Sequence, residues 1–367
     1  MGPYRITYVI TDLNTGGVPL HLLRLSTAML QRGHRPSVVS LAPPGPVTRR
    51  LRDAGIDTVD CAARNARDLP AIWRLGQHLR RLRPDLVHSF LFHANVASRL
   101  AVPLAGRSIS RLICEIQTVE IERRWHLTVE GMLHRLGACV VGNSPSVVEH
   151  LRRAAHVTAG RLVCIRGGVD VQGIQNARPA DRAALALPEA TRVVLWVGRL
   201  DAVKGLDELV DAFAIVTRTA EVRLLLVGDG DYEPTVRRRV EGHRLQDRVK
   251  LLGRRDDVAA LLKIADVFAF PSRTEGLPNA LLEAMAAARP IVTTDVPGCR
   301  DVITHAVTGV LVPPGDIDAL AAAITRLLTD PTGASRLAAA AAHEAVTRFS
   351  FCASVDRYER LYRQIFS

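Results

Sequence analysis

The chain has 367 residues, of which 48% are hydrophobic, 4% are aromatic and 23% are charged. A chain of this length is too long to fold around one ordinary hydrophobic core, so we expect two domains. The composition excludes a disordered chain. The longest apolar runs are strand-sized, and the N-terminus lacks the apolar region of a signal peptide. The six cysteines form no C-x-x-C pair and no zinc-ligand spacing with histidine. They therefore favour free thiols in a reducing compartment, and we expect a cytoplasmic protein.

The net charge of +11 is concentrated in the first half of the chain. Residues 1–170 contain 23 Arg and no Lys against 12 acidic residues, whereas residues 171–367 contain 25 basic and 25 acidic residues. Such asymmetry indicates an anionic partner, or alternatively a solvated basic face. If the partner is the anionic inner face of a membrane, six arginines are candidates for peripheral contact with it. They are Arg74, Arg80, Arg81, Arg83, Arg123 and Arg124.

Strand and helix patterns alternate along the first half. Apolar runs predict strands at 6–10, 37–41, 58–59, 86–89, 112–116 and 138–142. Amphipathic stretches predict helices at 20–31, 49–54 and 69–83, and Gly33 has the position of a C-cap glycine. The repeated order predicts a parallel sheet covered on both faces.

The pattern lapses near Gly167–Asp170 and then restarts. We interpret the polar, proline-containing residues 171–190 as a linker between domains. Further strands are predicted at 192–198, 223–228, 249–252, 267–270, 291–294 and 310–312, and helices at 206–216, 258–265, 278–288 and 317–328. The second half is thus a second doubly wound domain, and ligands of such sheets bind beyond the carboxyl ends of the strands.

A basic loop follows the strand at 192–198. It carries Arg199 and Lys204, and a helix is predicted to start near Gly205. A helix start offers free N–H groups and partial positive charge, to which Arg and Lys add donors for phosphate oxygens. The loop fits a diphosphate, although a basic surface loop has the same composition.

The segment after the strand at 267–270 carries two carboxylates, Glu275 and Glu283. At this edge of the sheet they are placed to accept hydrogen bonds from sugar hydroxyls, one from a ribose and one from a hexose. The backbone between Gly276 and Asn279 is placed to receive phosphate oxygens. Acids that complement a helix dipole are the alternative, which suits Glu283 less because it lies within an apolar run.

Two weaker features lie in the first half. Gly16 and Gly17 follow the first strand and permit close approach to a ligand, or an anion-binding nest, with a tight turn as the alternative. His88 and His93 flank the end of the strand at 86–89, and we expect His93 to face a ligand. A structural histidine is the alternative.

In chain order, these motifs resemble the retaining glycosyltransferases of family 4, which have the GT-B fold. The resemblance extends over nearly the whole chain. Glu275 and Glu283 match the family's glutamates with seven residues between them, and Arg199 and Lys204 match its pyrophosphate-binding pair. Gly16–Gly17, His93 and Asn143–Ser144 match its glycine loop, the histidine near the donor sugar and the run after the last strand of the first domain.

The resemblance implies two doubly wound, Rossmann-like α/β domains that face each other across a cleft. Residues 1–168, with a helix at 350–367 that crosses back, form the acceptor-binding domain, and residues 169–349 form the nucleotide-sugar donor domain. The implied reaction moves a hexosyl or N-acetylhexosaminyl unit with retention, from a nucleotide diphosphate sugar, UDP by family frequency, to a saccharide or lipid-linked saccharide of a cell-surface polysaccharide. No cofactor and no metal are implied.

By the same resemblance, the catalytic residues are Arg199, Lys204, Glu275 and His93. Other donor-binding residues are Gly16, Gly17, Arg255, Gly276, Leu277, Pro278, Asn279 and Glu283. The acceptor-binding residues are His93, Glu120, Arg123 and Arg124.

One departure concerns the turn between domains, which reads Arg-Gly-Gly-Val-Asp at 166–170 where the family usually has Pro-Asn-Gly-Val-Asp. Three other functions stay open: a sugar-nucleotide 2-epimerase of the same fold, a glycosyltransferase acting on a small-molecule natural product, and a basic nucleic-acid-binding module. The last is disfavoured because no aromatic residues interleave with the basic ones, so we expect no nucleic acid partner.

Overall fold

The computed structural model describes residues 2–65, 68–119 and 124–366. The chain divides into two compact units. Unit 1 is Met1–Arg166 with Ser354–Ser367, and unit 2 is Gly167–Ala353. Each unit is a parallel sheet between layers of helices.

Unit 1 has seven strands among its described residues: β1 (Arg5–Ile10), β2 (Arg35–Ser40), β3 (Asp57–Asp60), β4 (Leu86–Phe90), β5 (Leu112–Ile116), β6 (Cys139–Gly142) and β7 (Leu162–Cys164). The helices between them are α1 (Gly17–Gln31), α2 (Pro46–Asp53), α3 (Leu69–Leu82), α4 (Phe92–Leu104), α5 (Arg124–Leu133) and α6 (Pro145–Ala154).

The order of strands in this sheet is β3-β2-β1-β4-β5-β6-β7, and every neighbouring pair is parallel. Right-handed crossovers therefore place α1 and α2 on one face and α3 to α6 on the other. Leu75 and Leu79 of α3 share a core cluster with Ala97 and Ala101 of α4, which is consistent with one helical layer.

Unit 2 has six strands: β8 (Arg192–Val197), β9 (Val222–Val227), β10 (Val249–Leu251), β11 (Val267–Phe270), β12 (Ile291–Thr294) and β13 (Val310–Val312). Its helices are α7 (Val171–Gln175), α8 (Leu206–Val216), α9 (Glu233–Gly242), α10 (Val258–Ile264), α11 (Asn279–Ala286), α12 (Pro297–Arg300), α13 (Ile317–Thr329) and α14 (Pro331–Arg348). The parallel order is β10-β9-β8-β11-β12-β13. Fully buried Trp196 and Phe213 lie in its core.

The predicted linker is wrong. Residues 171–190 belong to unit 2, where Ile174, Leu185 and Leu187 are buried in the core. The Asp170 side chain accepts a hydrogen bond from the Gly173 backbone N–H at 3.0 Å and so caps α7. The turn at Gly168 is close to Phe351, because a Cβ at Gly168 would lie 2.7 Å from the Phe351 Cα.

The last helix, α15 (Phe351–Phe366), passes into unit 1 at Ser354. There it covers a buried polar group on the sheet. The Tyr358 hydroxyl lies 3.0 Å from both carboxylate oxygens of Glu115, and the Tyr362 hydroxyl lies 2.9 Å from Nδ1 of His88. Arg32 of α1 also forms ion pairs with Asp356 and Glu359 of α15.

In the part of the chain that the structure describes, no helix is both long and apolar enough to cross a membrane.

Candidate active site

In each unit, most of the predicted site residues follow the two strands between which the order of the sheet reverses. In unit 1, β1 pairs with β4; Gly16 and Gly17 follow β1, and His93 follows β4. In unit 2, β8 pairs with β11; Arg199 and Lys204 follow β8, and Glu275 follows β11. Loops diverge to opposite faces at such a point and leave a crevice at the carboxyl ends of the strands, which is where doubly wound sheets bind ligands.

An ion pair joins the loops after β8 and β11 in the unit 2 crevice. Nζ of Lys204 lies 2.6 Å from Oε1 of Glu275, and the two side chains are 18% and 10% exposed. The same Nζ lies 5.8 Å from the centroid of the Phe270 ring. A partly buried cation and a partly buried carboxylate, 71 residues apart in sequence, are therefore held at one place.

Arg199 is placed differently. Its guanidinium lies 2.8 Å from a carboxylate oxygen of Asp201, and its side chain is largely exposed. Asp201 also caps the short 3-10 helix Ala202–Lys204 by accepting from the Val203 N–H. Arg199 thus lies at the rim of the loop, with room to turn toward an anion.

Close backbone approaches brace the Glu275 loop. A Cβ at Gly205, which has φ of +66°, would lie 1.9 Å from the Pro271 carbonyl oxygen, and a Cβ at Gly298 would lie 2.5 Å from the Glu275 carbonyl oxygen. Both positions therefore exclude a side chain. The Arg273 N–H and the Ser272 hydroxyl also donate to the Val203 carbonyl. These contacts link the loops after β8 and β11.

The thiol beneath this region is inert. Cys299 is fully buried next to Thr293, and burial raises the pKa of its thiol to about 12. It therefore stays protonated at neutral pH and acts as a packing group.

The two helix starts in the crevice differ in charge. The first turn of α8 carries Asp207 and Glu208, which accept hydrogen bonds from Tyr232 and Arg273. The first turn of α11 has no acidic residue, and no described side chain caps it. Since an uncapped helix start favours an anion, α11 is the better place for a phosphate.

Other predicted donor residues lie on or near α11. Gly276, Leu277 and Pro278 are buried in the loop and Asn279 is exposed. The helix begins at Asn279 with Pro278 as the N-cap, one residue later than predicted. Glu283 is half-buried within α11.

Arg255 lies away from the ion pair. It follows β10, the edge strand, which is two strands from β8. Its guanidinium makes hydrogen bonds of 2.7 and 2.6 Å to Asp257, and this hydrogen bonding by Arg255 lowers the pKa of Asp257. A role at the donor base needs this pair to open or to reorient.

In unit 1, the glycine pair begins α1. Gly16 is the N-cap with φ of −177°, and Gly17 is the first helical residue. Neither glycine is among the described residues with positive φ. The pair therefore forms a helix start, and neither the nest nor the tight turn that the sequence allowed.

The structure places the two predicted histidines in different environments. His88 lies inside β4, completely buried, with Nε2 3.1 Å from Oε2 of Glu115. It is a structural residue and does not flank the strand end. His93 is half-buried in the first turn of α4.

The turn before His93 is strained and firmly held. Leu91 has φ of +74°, a left-handed conformation that is unusual for a leucine. Its N–H donates to the Glu115 carbonyl at 3.0 Å, and the buried Asn95 side-chain amide donates to the same oxygen at 3.1 Å. Such outliers concentrate at functional sites. Sequence alone gave no signal for Leu91 or Asn95.

An aromatic cluster surrounds His93. The His93 ring lies 5.5 Å from that of His126, which stacks on Phe92 at 3.8 Å, and Trp125 packs edge-on to Phe92 at 5.2 Å. Of the predicted acceptor residues, Arg124 is exposed at the start of α5. Glu120 and Arg123 lie outside the described residues.

Known proteins resemble the chain over most of its length. The family described as Glycosyltransferase Family 4 matches residues 15–172, and the family described as Glycosyl transferases group 1 matches residues 177–344. Phosphatidyl-myo-inositol mannosyltransferase of Mycobacterium tuberculosis is 30% identical over 309 residues, which cover 81% of this chain and 79% of that protein. The chain belongs to glycosyltransferase family 4. It is a glycosyltransferase that acts on sugar nucleotides.

Other similarities are narrower or more distant. The 2-deoxystreptamine N-acetyl-D-glucosaminyltransferase of Streptomyces fradiae is 28% identical over 82% of this family 4 chain and 80% of its own length. N-acetyl-alpha-D-glucosaminyl L-malate synthase of Bacillus anthracis is 36% identical over 130 residues, only 35% of this chain and 34% of that protein. A crystal structure of Anabaena HepE with UDP and glucose has a TM-score of 0.89 at 23% identity, covering 98% and 100% of the two chains. The last similarity confirms the GT-B fold.

Proposed function

We propose that the protein is a retaining, metal-independent glycosyltransferase that moves a hexosyl or N-acetylhexosaminyl unit from a UDP-sugar to a saccharide or lipid-linked saccharide acceptor. The observation that carries this proposal is the Lys204–Glu275 ion pair at 2.6 Å. Glu275 lies shortly before α11 in sequence, and the ion pair and the start of α11 are at the same edge of the sheet. It puts a cation for phosphate and an acceptor for sugar hydroxyls in one crevice.

The proposed chemistry follows from charge. As the glycosidic bond of the donor breaks, negative charge grows on the β-phosphate. Lys204, Arg199 and the uncapped first turn of α11 supply positive charge for that oxygen without a metal ion. Glu275 then accepts hydrogen bonds from the sugar, and the departing phosphate removes the proton of the acceptor hydroxyl. Glu283 binds the ribose, and the family resemblance assigns His93 to the donor sugar.

The names of similar proteins support the proposed identity of the donor, a UDP-sugar. The Anabaena structure was determined with UDP and glucose, and the names of the Streptomyces and Bacillus relatives contain N-acetyl-glucosaminyl. Together they favour a UDP-linked hexose or N-acetylhexosamine over other nucleotide sugars.

The acceptor has two candidates. The Mycobacterium relative is named for phosphatidyl-myo-inositol, which favours a lipid-linked acceptor. The Streptomyces relative is named for 2-deoxystreptamine, a small aminocyclitol, and therefore favours a small-molecule acceptor as the second candidate function. Product formation with each acceptor class separates the two.

Calorimetric titration of UDP, GDP and ADP in EDTA tests the donor site. We expect UDP alone to bind tightly without metal, and Arg199→Ala to weaken its binding by about tenfold through the loss of one charged contact. Arg238→Ala is the matched control, since Arg238 is exposed on α9. Equal weakening by both variants, or no binding of any nucleotide, contradicts the proposal.

The stereochemistry needs a separate measurement. With a UDP-α-sugar, proton NMR of the first product formed should show an α linkage. A β linkage contradicts retention while leaving the donor assignment in place.

A further inference from the structure

Exposed apolar side chains are concentrated on one helical layer of unit 1. Of the ten large hydrophobic residues that are exposed in the described part of the chain, seven lie on α3, on α4, on α5 or in the turn after α5. These seven, which with their helices we call the α3–α5 face, are Leu69, Trp73, Leu100, Leu104, Trp125, Met132 and Leu136.

Several of them protrude strongly. Leu69 is 71% exposed, Trp73 61%, Trp125 56% and Met132 72%. They occur at helical spacings, with Leu69 and Trp73 four residues apart on α3, and Leu100 and Leu104 four apart on α4. The first two helices are in direct contact, since a Cβ at Gly76 would lie 3.6 Å from the Leu104 Cβ. The Arg99–Glu130 pair joins α4 to α5, so the three helices that carry the apolar groups form one layer.

The charge of this face has one sign. Among the residues of α3, α4 and α5, Glu130 is the only acid, and it is buried in a two-bond pair with Arg99. Exposed arginines remain on α3, on α5 and just after each of them, namely Arg80, Arg81, Arg83, Arg124 and Arg135. Of these, Arg80 also donates to the Leu104 carbonyl at 2.7 Å. Arg74, also predicted to contact lipid, instead donates to the Cys61 carbonyl at 2.6 Å and pairs with Asp68.

We propose that the α3–α5 face docks on an anionic lipid bilayer. Tryptophan and leucine side chains bury in the interfacial region of a bilayer, and arginines beside them contact lipid phosphates. The proposal deepens the lipid-linked acceptor named above but does not depend on the donor-phosphate chemistry, because Lys204, Glu275 and Glu283 lie in unit 2.

Other occupants fit less well. A second copy of the same face would bring arginines against arginines, with no exposed carboxylate among the described residues of α3, α4 and α5 between them, which opposes a symmetric dimer. Nucleic acid would use the arginines but would leave Leu69, Leu104 and Met132 without a function, because phosphates gain nothing from aliphatic groups.

Vesicle flotation of the full chain tests this inference. We expect it to float with phosphatidylcholine vesicles containing about 30 mol% phosphatidylglycerol and to stay unbound with phosphatidylcholine alone. Tryptophan emission should shift to the blue on binding, since Trp73 and Trp125 are exposed and Trp196 is fully buried. The Arg80→Gln, Arg81→Gln, Arg83→Gln triple variant should bind about a hundredfold more weakly, and Leu69→Ser with Trp73→Ser should also reduce flotation.

Matched controls lie in unit 2. The Arg218→Gln, Arg238→Gln, Arg244→Gln triple variant removes the same number of exposed arginines as the triple test variant. The Val307→Ser, Val346→Ser variant removes two exposed apolar side chains, as the Leu69→Ser, Trp73→Ser variant does. Equal losses in test and control variants, flotation with neutral vesicles, or no flotation overturn the proposal. Two other outcomes also overturn it. One is a dimer seen in sedimentation that the Leu69→Ser, Trp73→Ser variant abolishes. The other is DNA binding that this variant retains. UDP titration of each variant reports separately on the donor site.

Discussion

Lys204 is the residue on which the proposed chemistry depends most. Its ammonium is 2.6 Å from Glu275, so in the free enzyme the cation is already held where charge would develop. We expect Lys204→Ala to lower kcat by about 10²- to 10³-fold, with a much smaller change in donor KM, because the contact strengthens in the transition state. Steady-state kinetics with a UDP-sugar and an acceptor measure both constants.

The matched control is Lys263→Ala, which removes one of the other two lysines, on α10. It should leave both constants within about twofold of the unaltered enzyme. A Lys204→Ala enzyme with weaker donor binding but unchanged kcat would mean that Lys204 only binds the donor.

Glu283 gives a second prediction at this scale. If its carboxylate accepts from ribose hydroxyls, Glu283→Gln should weaken UDP binding by about tenfold, the cost of one charged hydrogen bond. Calorimetry with UDP measures this, and Glu241→Gln on the exposed face of α9 is the control. An unchanged dissociation constant would remove Glu283 from the ribose.

The sequence pointed to the residues that meet in unit 2 but not to the contacts that support them. Lys204 and Glu275 were selected because a cation and a carboxylate follow two apolar strands, and the structure brings them to 2.6 Å. Gly298 was missed, since its requirement comes from the Glu275 carbonyl oxygen, which would lie 2.5 Å from a Cβ at this position and belongs to a loop after another strand. No local pattern encodes that approach.

At the scale of elements, α15 is fixed to unit 1 through a buried carboxylate. Burial raises the pKa of the Tyr358 phenol well above its usual value, so the hydroxyl keeps its proton and donates to Glu115. Tyr358→Phe should lower the stability of unit 1 by about 1.5–3 kcal/mol, the cost of leaving a charged group with one donor fewer. Denaturant unfolding followed by hydrogen exchange in unit 1 measures it.

Tyr232→Phe is the control for that substitution. Tyr232 donates to Asp207 at 2.6 Å, but it lies in unit 2 and near solvent, so its loss should cost less and affect unit 2 only. If Tyr358→Phe and Glu115→Gln have additive effects in a double-mutant cycle, the two side chains do not interact.

The contact between α1 and α15 also predicts a dependence on pH. Burial is the largest cause that lowers the pKa of His21, whose Nε2 lies 3.3 Å from the Tyr358 hydroxyl. The unfolded chain therefore binds a proton at His21 more readily than the folded chain does. The contribution of neutral His21 to the free energy of unfolding is fully present above about pH 6.5 and decreases as the pH falls below that value. Thermal unfolding between pH 8 and pH 5 should show this slope.

His21→Gln should flatten that slope, whereas His343→Gln, at an exposed position on α14, should leave it unchanged. A slope that survives His21→Gln would assign the proton to another group.

Elements with strong periodicity were predicted almost to the residue. The helix Leu206–Val216 and the strands Val267–Phe270 and Ile291–Thr294 have the predicted bounds. The stretch at 171–190 was not predicted, because its buried residues, Ile174, Leu185 and Leu187, are too widely spaced to form a periodic pattern. Their burial depends on the surface of unit 2 against which they pack.

For the whole molecule, the charge is divided between the units. Unit 1 contains 26 basic and 13 acidic residues, whereas unit 2 contains 22 and 24. An excess of positive charge destabilises a compact state through repulsion between like charges. Repulsion should therefore oppose the stability of unit 1 and leave unit 2 nearly unaffected.

Salt separates these two effects within a single molecule. The screening length falls from about 30 Å at 0.01 M salt to about 8 Å at 0.15 M, so added salt weakens repulsion across unit 1. Native-state hydrogen exchange at the two concentrations should show protection in unit 1 rising by on the order of 1 kcal/mol, with unit 2 as the internal control. If salt instead lowers protection in both units, local ion pairs outweigh net repulsion. In that case nearby carboxylates within unit 1 neutralise much of its arginine charge, and less positive charge is available to bind an anionic surface.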